Sequence, residues 1–321
     1  MISAKEWRPT ASLAMLRKRA ELLLRTRQFF STRGVLEVET PMLVAAPVTD
    51  VNLQSASVAL PGRSDPLWLH TSPEYAMKRL LAFGSGDIWQ LCRVVRGAER
   101  SRLHNPEFTL LEWYRVGFTM AQLIDEVAQL CGEIAGSRRC ESLRYADAFS
   151  AVTGLDPLNC SDVALRENGA SLALPTATLA SLSRDELLEL CMALRVGPTL
   201  GNHSYSFVTH YPASQASLAR LDPTDARVAL RFELYADGVE LANGFEELSN
   251  GAQQRQRFEA DNHERRRRGL REQSLDWQLL EALEAGLPNC AGVAIGFDRL
   301  LMIACGATEI DEVIAFPVER A

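Results

Sequence analysis

The sequence predicts an α+β protein in which an antiparallel β-sheet is flanked by helices. Three observations carry that expectation. Residues 89–115 read as a hairpin: a strand ends at Arg96, a polar and basic loop runs to about Asn105, and a second strand returns through FTLLEWY with clean alternation. Strand-like alternation resumes from Phe207 to Leu248, and 292–306 reads as a glycine-punctuated strand entering a helix. Around these lie stretches whose apolar residues recur at the helical spacing of three and four.

Taken in order, residues 11–31 place Leu13, Leu16, Ala20, Leu23, Leu24 and Phe30 at helical spacing, and Gly34 suits the residue just past a helix end. VLEVETP then alternates as a strand and stops at Pro41. Residues 45–66 read as loop and short strands. In LWLHTSPEYAMKRLL, Ser72 is the predicted N-cap, Pro73 the first helical residue and Glu74 lies in the first turn. There Glu74 serves either the helix dipole or a bound cation.

In the returning hairpin strand, period two puts Phe108, Glu112 and Tyr114 on one face and Thr109, Leu111 and Trp113 on the other, which is core. Burying a carboxylate beside a phenol is costly without a partner. An ammonium group on Glu112 and Tyr114, a flat heterocycle on Phe108 and a phosphate on Arg96 would supply partners. A solvated sheet face is the competing reading of the same residues.

Residues 119–200 read as helices and connections, with TMAQLIDEVAQLCGEIAG and SRDELLELCMALRVG the best helices, and carry no recognisable chemistry. Further on, Glu240 and Glu247 are seven apart, which on a straight strand sends them to opposite faces. Asn243-Gly244 between them permits a bulge that would bring both to one site. Two surface glutamates are the alternative. The run Arg265 to Arg268 lies on a charged helix and reads as a solvated face or a dock for an acidic partner.

With 321 residues, 47% apolar and 23% charged, the chain has the composition of an ordinary globular protein. No run approaches the ~18 apolar residues of a membrane span. The N-terminus, with Lys5, Glu6 and Arg8, has no apolar signal region, so a cytoplasmic location and no membrane partner are expected. Seven scattered cysteines without a CxxC pair argue for reduced thiols rather than disulfides or zinc. A net charge of −7 argues mildly against a large nucleic-acid surface.

The pattern from Arg96 through HNPEF to Glu112 and Tyr114 resembles motif 2 of the class II aminoacyl-tRNA synthetases, in the form found in lysyl-tRNA synthetases and their paralogues. Residues 12–41 resemble motif 1 and 290–306 motif 3, in the right order across almost the whole chain. The resemblance implies the class II catalytic fold in one domain over 1–321 and a homodimer built on motif 1. It implies ATP and Mg²⁺ as cofactors, with Arg96 and Arg299 catalytic. It further implies ATP contacts from Arg96, Gly97, Ala98, Glu99, His104, Asn105, Phe108, Glu240, Leu241, Gly296 and Arg299, and Mg²⁺ on Glu240 and Glu247. Substrate contacts would come from Ser72, Pro73, Glu74, Glu112, Tyr114, Asn243, Glu247 and Ala294.

Four departures refine this picture. The chain begins almost at motif 1, so no anticodon-binding domain is expected. Motif 3 reads GVAIG where the synthetases usually read GLGIG, and ASLA replaces a typical SPLA. One added methyl in an amino-acid pocket is worth ~10–200-fold in selectivity. These features resemble the stand-alone paralogues that attach (R)-β-lysine to a lysine of translation elongation factor P. That resemblance implies (R)-β-lysine or lysine as substrate and elongation factor P, rather than transfer RNA, as acceptor. A minimal tRNA-charging enzyme and a non-catalytic paralogue remain the alternatives. Lastly, the motif 2 glutamate is displaced from Ala98 to Glu99, so either the loop adjusts or adenine is held by backbone and stacking.

Overall fold

The computed structural model describes residues 7–321 except Ala98 and Ala173, and not the side chain of Thr176. Lys5, Glu6 and the Ala98 contact therefore lie outside the described residues. A long helix α1 (Leu13–Thr32) opens the chain, capped by Ser12, whose side chain accepts from the Met15 amide. Short strands β1 (Leu36–Glu37), β2 (Leu43–Val44), β3 (Ser57–Val58) and β4 (Leu67–Leu69) lead to α2 (Glu74–Phe83). The hairpin follows as β5 (Ile88–Val95) and β6 (Glu107–Val116).

Helix α3 (Met120–Ala135) starts at a reciprocal capping box between Thr119 and Gln122. Then come β7 (Arg139–Arg144), four short helices α4 (Tyr145–Thr153), α5 (Asp162–Gly169), α6 (Thr176–Ser181) and α7 (Arg184–Cys191), and strands β8 (Ser204–Pro212), β9 (Val228–Ala236) and β10 (Val239–Glu246). Helices α8 (Gly251–Arg267) and α9 (Trp277–Gly286), strand β11 (Cys290–Gly296) and helix α10 (Phe297–Cys305) complete the chain.

Eight strands form one sheet in the order β1-β5-β6-β11-β10-β9-β8-β7. Its centre is antiparallel, as expected, but both edge pairs, β1 with β5 and β7 with β8, are parallel. Two sequence expectations change here. VLEVETP contributes only the two residues of β1, and β7 lies in the stretch read as helices and connections. The sequence RCESLR has no apolar alternation because β7 is an edge strand with no residue fully buried.

One face of the sheet packs against α1, α3 and α10. Phe30 stacks on Trp89 at 4.7 Å and meets Trp113 edge-on at 5.3 Å, so the first helix is seated on the hairpin by aromatic contact. Leu111 and Trp113 are buried in this layer, as the alternation predicts. The opposite face carries two separate clusters. One joins α2, α8 and α9 to Ile88, Tyr114 and Cys290; the other joins α4, α5 and α7 to Val208, Tyr211 and Tyr235.

A buried ionic clamp holds three distant segments in register. Asp298, in the first turn of α10 and 1% exposed, accepts from the Thr109 amide at 2.7 Å and from Arg19 of α1 at 2.5 Å. Arg19 also donates to the Thr109 hydroxyl at 2.6 Å. Asp298→Ala would take the carboxylate from the partly buried Arg19 guanidinium and from the buried Thr109 amide, and we expect a loss of about 3 kcal/mol. Urea unfolding measures it; a loss below ~1 kcal/mol would show that the clamp is solvated in solution.

Candidate active site

Strand register sets the floor of the site. Gln90, Glu112, Ala294, Asn243 and Glu233 form one row across β5, β6, β11, β10 and β9, and Ile88, Tyr114, Gly292, Phe245 and Arg231 form the next. Alternation points both rows to the face away from α1. Above their middle lies a cavity of about 720 Å³, walled by α2, α8, the loop between β2 and β3 and the loop of the hairpin.

One end of the cavity is built for positive charge. Glu112 is 2% exposed, and its carboxylate accepts from Tyr114 Oη at 2.6 Å and Ser72 Oγ at 2.7 Å. Lys78, on α2 and equally buried, lies 2.8 Å from Glu74 Oε1 and 2.5 Å from Glu247 Oε2. Two carboxylates thus share one ammonium, and Glu112 stands within its electrostatic reach. Neither Glu247 oxygen has a well-aligned hydrogen-bond donor. Burial, reinforced by the neighbouring Glu74, pushes Glu112 up to about 7, against the opposing pull of Tyr114, Ser72 and Lys78. Burial likewise raises Glu247, against Lys78. Despite its own burial Lys78 is raised, because Glu247 and Glu74 favour its charged form.

Two features of this end differ from expectation. Pro73, not Ser72, is the N-cap of α2, and Ser72 stands one residue outside, accepting from the Glu74 amide at 3.0 Å while donating to Glu112. Its hydroxyl therefore orients a ligand-facing carboxylate instead of capping the helix. Of the two motif 3 glycines, Gly292 is the one the protein itself requires: a Cβ there would run into the Tyr114 ring and come within 2.6 Å of Glu247 Oε1. At Gly296 a Cβ would meet only the Arg299 side chain, at 3.8 Å, which leaves that space to a ligand.

The other end is cationic. Arg96 lies with its guanidinium 5.2 Å from the Phe108 ring centre and donates to the Thr71 carbonyl at 3.3 Å. Arg299 donates to the Glu240 carbonyl at 2.9 Å and contacts His104 Nε2, while Ser101 Oγ is 2.7 Å from His104 Nδ1. Burial, then Arg299 and Arg96, lower His104 to about 4, so it is neutral at pH 7. Glu99, Gly296 and Leu241 line the same cavity. Gly97 packs against Gln54, with its amide on the Gln54 carbonyl at 2.8 Å. Asn105 spends its amide on the Glu107 carbonyl (2.6 Å) and the Val318 amide (3.0 Å), tying the hairpin loop to the last residues of the chain.

The expected bulge exists, but earlier than Asn243-Gly244. The register of β10 on β9 slips between Glu240 and Ala242, leaving Leu241 unpaired. A bulge reverses the parity of what precedes it, so Glu240 joins Asn243, Phe245 and Glu247 along the cavity. The two glutamates are nevertheless not brought together as a pair. Glu247 belongs with Lys78, Glu74 and Glu112, whereas Glu240 stands within electrostatic reach of Arg299, Arg231 and Arg96 and makes no side-chain hydrogen bond to the described residues. No group of three or more acidic, His or Cys side chains among the described residues forms a ready metal cage. Of the two, the carboxylate of Glu240 is the one free to take a cation together with phosphate oxygens and water, the ligand set that Mg²⁺ prefers.

In the run Arg265 to Arg268 two side chains, Arg266 and Arg267, are about half exposed at 55% and 49%, and the run is also tied into the protein itself. Arg265 donates to the carbonyls of Asp50 and Arg271, Arg266 pairs with Glu272, Arg267 with Glu264, and Arg268 with Glu264 and Glu186. These contacts clamp the end of α8 to the cavity wall and to α7. Sequence reading also missed Lys78 and Phe245 in the cavity and its neighbourhood. Lys78 carried a signal, its position four residues after Glu74 on one helix, but that spacing equally fits an ordinary surface pair.

All seven cysteines are free thiols, and among the described residues no helix is long and apolar enough to cross a membrane. A comparison with protein families matches residues 5–320 to the model described as tRNA synthetases class II (D, K and N).

A carboxyl raised by burial favours the folded state below its ordinary value of 4.5 and loses that advantage as pH rises through about 7. Glu112 should therefore make the ligand-free protein less stable at about pH 8 than at about pH 5, and Glu112→Gln should flatten that part of the slope. Urea midpoints of both proteins at the two pH values test this; equal slopes would place the Glu112 carboxyl at its ordinary value.

Proposed function

The chain belongs to the class II tRNA synthetases, the D, K and N group, and we propose that within this family it activates a lysine-type diamino acid and passes it to a protein amine. Members of the family activate amino acids with ATP. The observation that carries the finer reading is the division of one cavity into an anionic end, Glu74, Glu112 and Glu247, and a cationic end, Arg96 and Arg299, on a shared strand floor. A diamino acid offers two ammonium groups to the first and its carboxylate to the second.

In this reading the base of ATP stacks on Phe108 and its phosphates lie against Arg96 and Arg299. The amino-acid carboxylate attacks the α-phosphorus and pyrophosphate leaves, giving the aminoacyl-adenylate. The two arginines offset negative charge that builds on the phosphoryl oxygens. Mg²⁺ is expected at Glu240 and would neutralise phosphate charge there; Glu247 would join it only by giving up Lys78. Glu112 with Tyr114 holds the distal ammonium, and Glu74 with Glu247 the other. No protein nucleophile is required. The lysine ε-amine of elongation factor P then attacks the adenylate carbonyl, AMP leaves, and an amide is formed.

Ala294 supports (R)-β-lysine as the preferred isomer. It sits between Asn243 and Glu112 in the floor row, so its methyl projects where the backbone end of the amino acid would pass. The exposed Leu36, Met42 and Phe83, near β1 at the sheet edge, support a homodimer.

Three measurements test the proposal. Intact mass of elongation factor P, after incubation with the protein, ATP, Mg²⁺ and either isomer, should rise by one lysyl unit, more completely with (R)-β-lysine. Charging of transfer RNA without that gain would make the protein a shortened synthetase. Ala294→Gly should move the preference towards α-lysine, within the ~10–200-fold that a methyl is worth. Glu112→Gln should cripple lysine-dependent pyrophosphate exchange; normal exchange in that variant would sink the pocket assignment.

A further inference from the structure

We propose that Arg231 is a positioning residue for the carboxylate of the amino acid, acting through Asn243. This rests on the reading of the cavity as a lysine-type site, but Arg231 itself belongs to no motif and reaches the cavity only through its neighbour. Its Nε donates to Asn243 Oδ1 at 3.1 Å. A guanidinium has donors and no acceptor, so it accepts only one of the two amide orientations. The oxygen must face Arg231, and Nδ2, for which the described residues provide no acceptor, is left to the cavity that Asn243 lines.

The guanidinium is in no position to follow the amide. Its remaining nitrogens donate to Glu233 Oε1 at 2.5 Å and to the Gln215 carbonyl at 2.6 Å, and its plane lies 4.4 Å from the centre of the Tyr211 ring. Glu233, only 7% exposed, is fixed in turn by the hydroxyls of Tyr211 at 2.5 Å and Tyr235 at 2.6 Å. Asn243 makes no other side-chain hydrogen bond to the described residues, so its amide orientation is set by this network. Without Arg231 the amide is free to present its oxygen, which repels a carboxylate. With it, a donor stands in the floor row between Ala294 and Glu233, on the path from the anionic end of the cavity to the cationic end.

The test compares binding of lysine with that of 1,5-diaminopentane, which has both ammonium groups and no carboxylate. Titration calorimetry on the full chain covers the wild type, Arg231→Met, Asn243→Ala and the double variant. The wild type should prefer lysine. Arg231→Met should lose about 10-fold or more in lysine affinity, the worth of a hydrogen bond to a charged group, with diaminopentane unchanged. In the Asn243→Ala background the same substitution should cost nothing further. Should Arg231→Met not fold, Arg231→Gln makes the same comparison: it can donate to Glu233 but offers Asn243 both a donor and an acceptor.

A purely structural role would weaken both ligands equally, or persist without Asn243, and either result overturns the inference. If the wild type prefers lysine and the Arg231 variants keep that preference, the inference alone fails. If the wild type binds neither ligand, the lysine-type reading fails and takes the inference with it.

Discussion

Three carboxylates closed around one ammonium are the constraint on which the rest of this structure depends. Glu74, Glu112 and Glu247 come from a helix, a hairpin strand and the end of another strand, and Lys78 joins two of them. Buried like charges repel, and only a rigid surround keeps them together. The surround is visible: aromatic seating of α1 on the hairpin, the Asp298 clamp between α1, β6 and α10, and a glycine at 292 that lets Tyr114 and Glu247 close on the strand. The core on one face of the sheet is thus what allows concentrated negative charge on the other.

The fold was legible where one period ran undisturbed. FTLLEWY alternates because its two faces meet different surroundings, whereas the apolar spacing in 11–31 marked the helix but not its buried face, which is Leu22, Thr26, Phe29 and Phe30 while Leu13 and Leu24 stay exposed. β7 was not legible, since an edge strand has no buried face to write into its sequence. The bulge at Leu241 shows another limit. The need for one followed from the seven-residue spacing of Glu240 and Glu247, but its place is set by how β10 pairs with β9, and Asn-Gly marked only a permissive site.

The candidate site was legible as residue types and illegible as partnerships. Glu112, Tyr114, Arg96 and Arg299 stand where alternation and helix position put them. Ser72 turned from a cap into the donor that orients Glu112, and the pairing of Glu247 with Lys78 rather than with Glu240 appears only when α2 is laid beside β10. Local pattern reports which face a side chain takes, while its counter-ion is chosen by elements far away in the chain. Arg265 to Arg268 make the same point, because nothing in a dense basic run tells from sequence that Arg266, Arg267 and Arg268 are paired with carboxylates of their own protein.

That last arrangement has a consequence at long range. Ion pairs a few ångströms apart look like dipoles from a distance, and dipole fields fade faster than those of single charges. The densest cationic stretch of the chain is therefore nearly silent beyond a Debye length of about 8 Å in physiological salt. What an approaching macromolecule senses first is the unbalanced excess of seven negative charges. Such a field slows the approach of polyanions and speeds that of basic surfaces, and it makes the rate of encounter, more than the strength of the final contact, the quantity that salt controls.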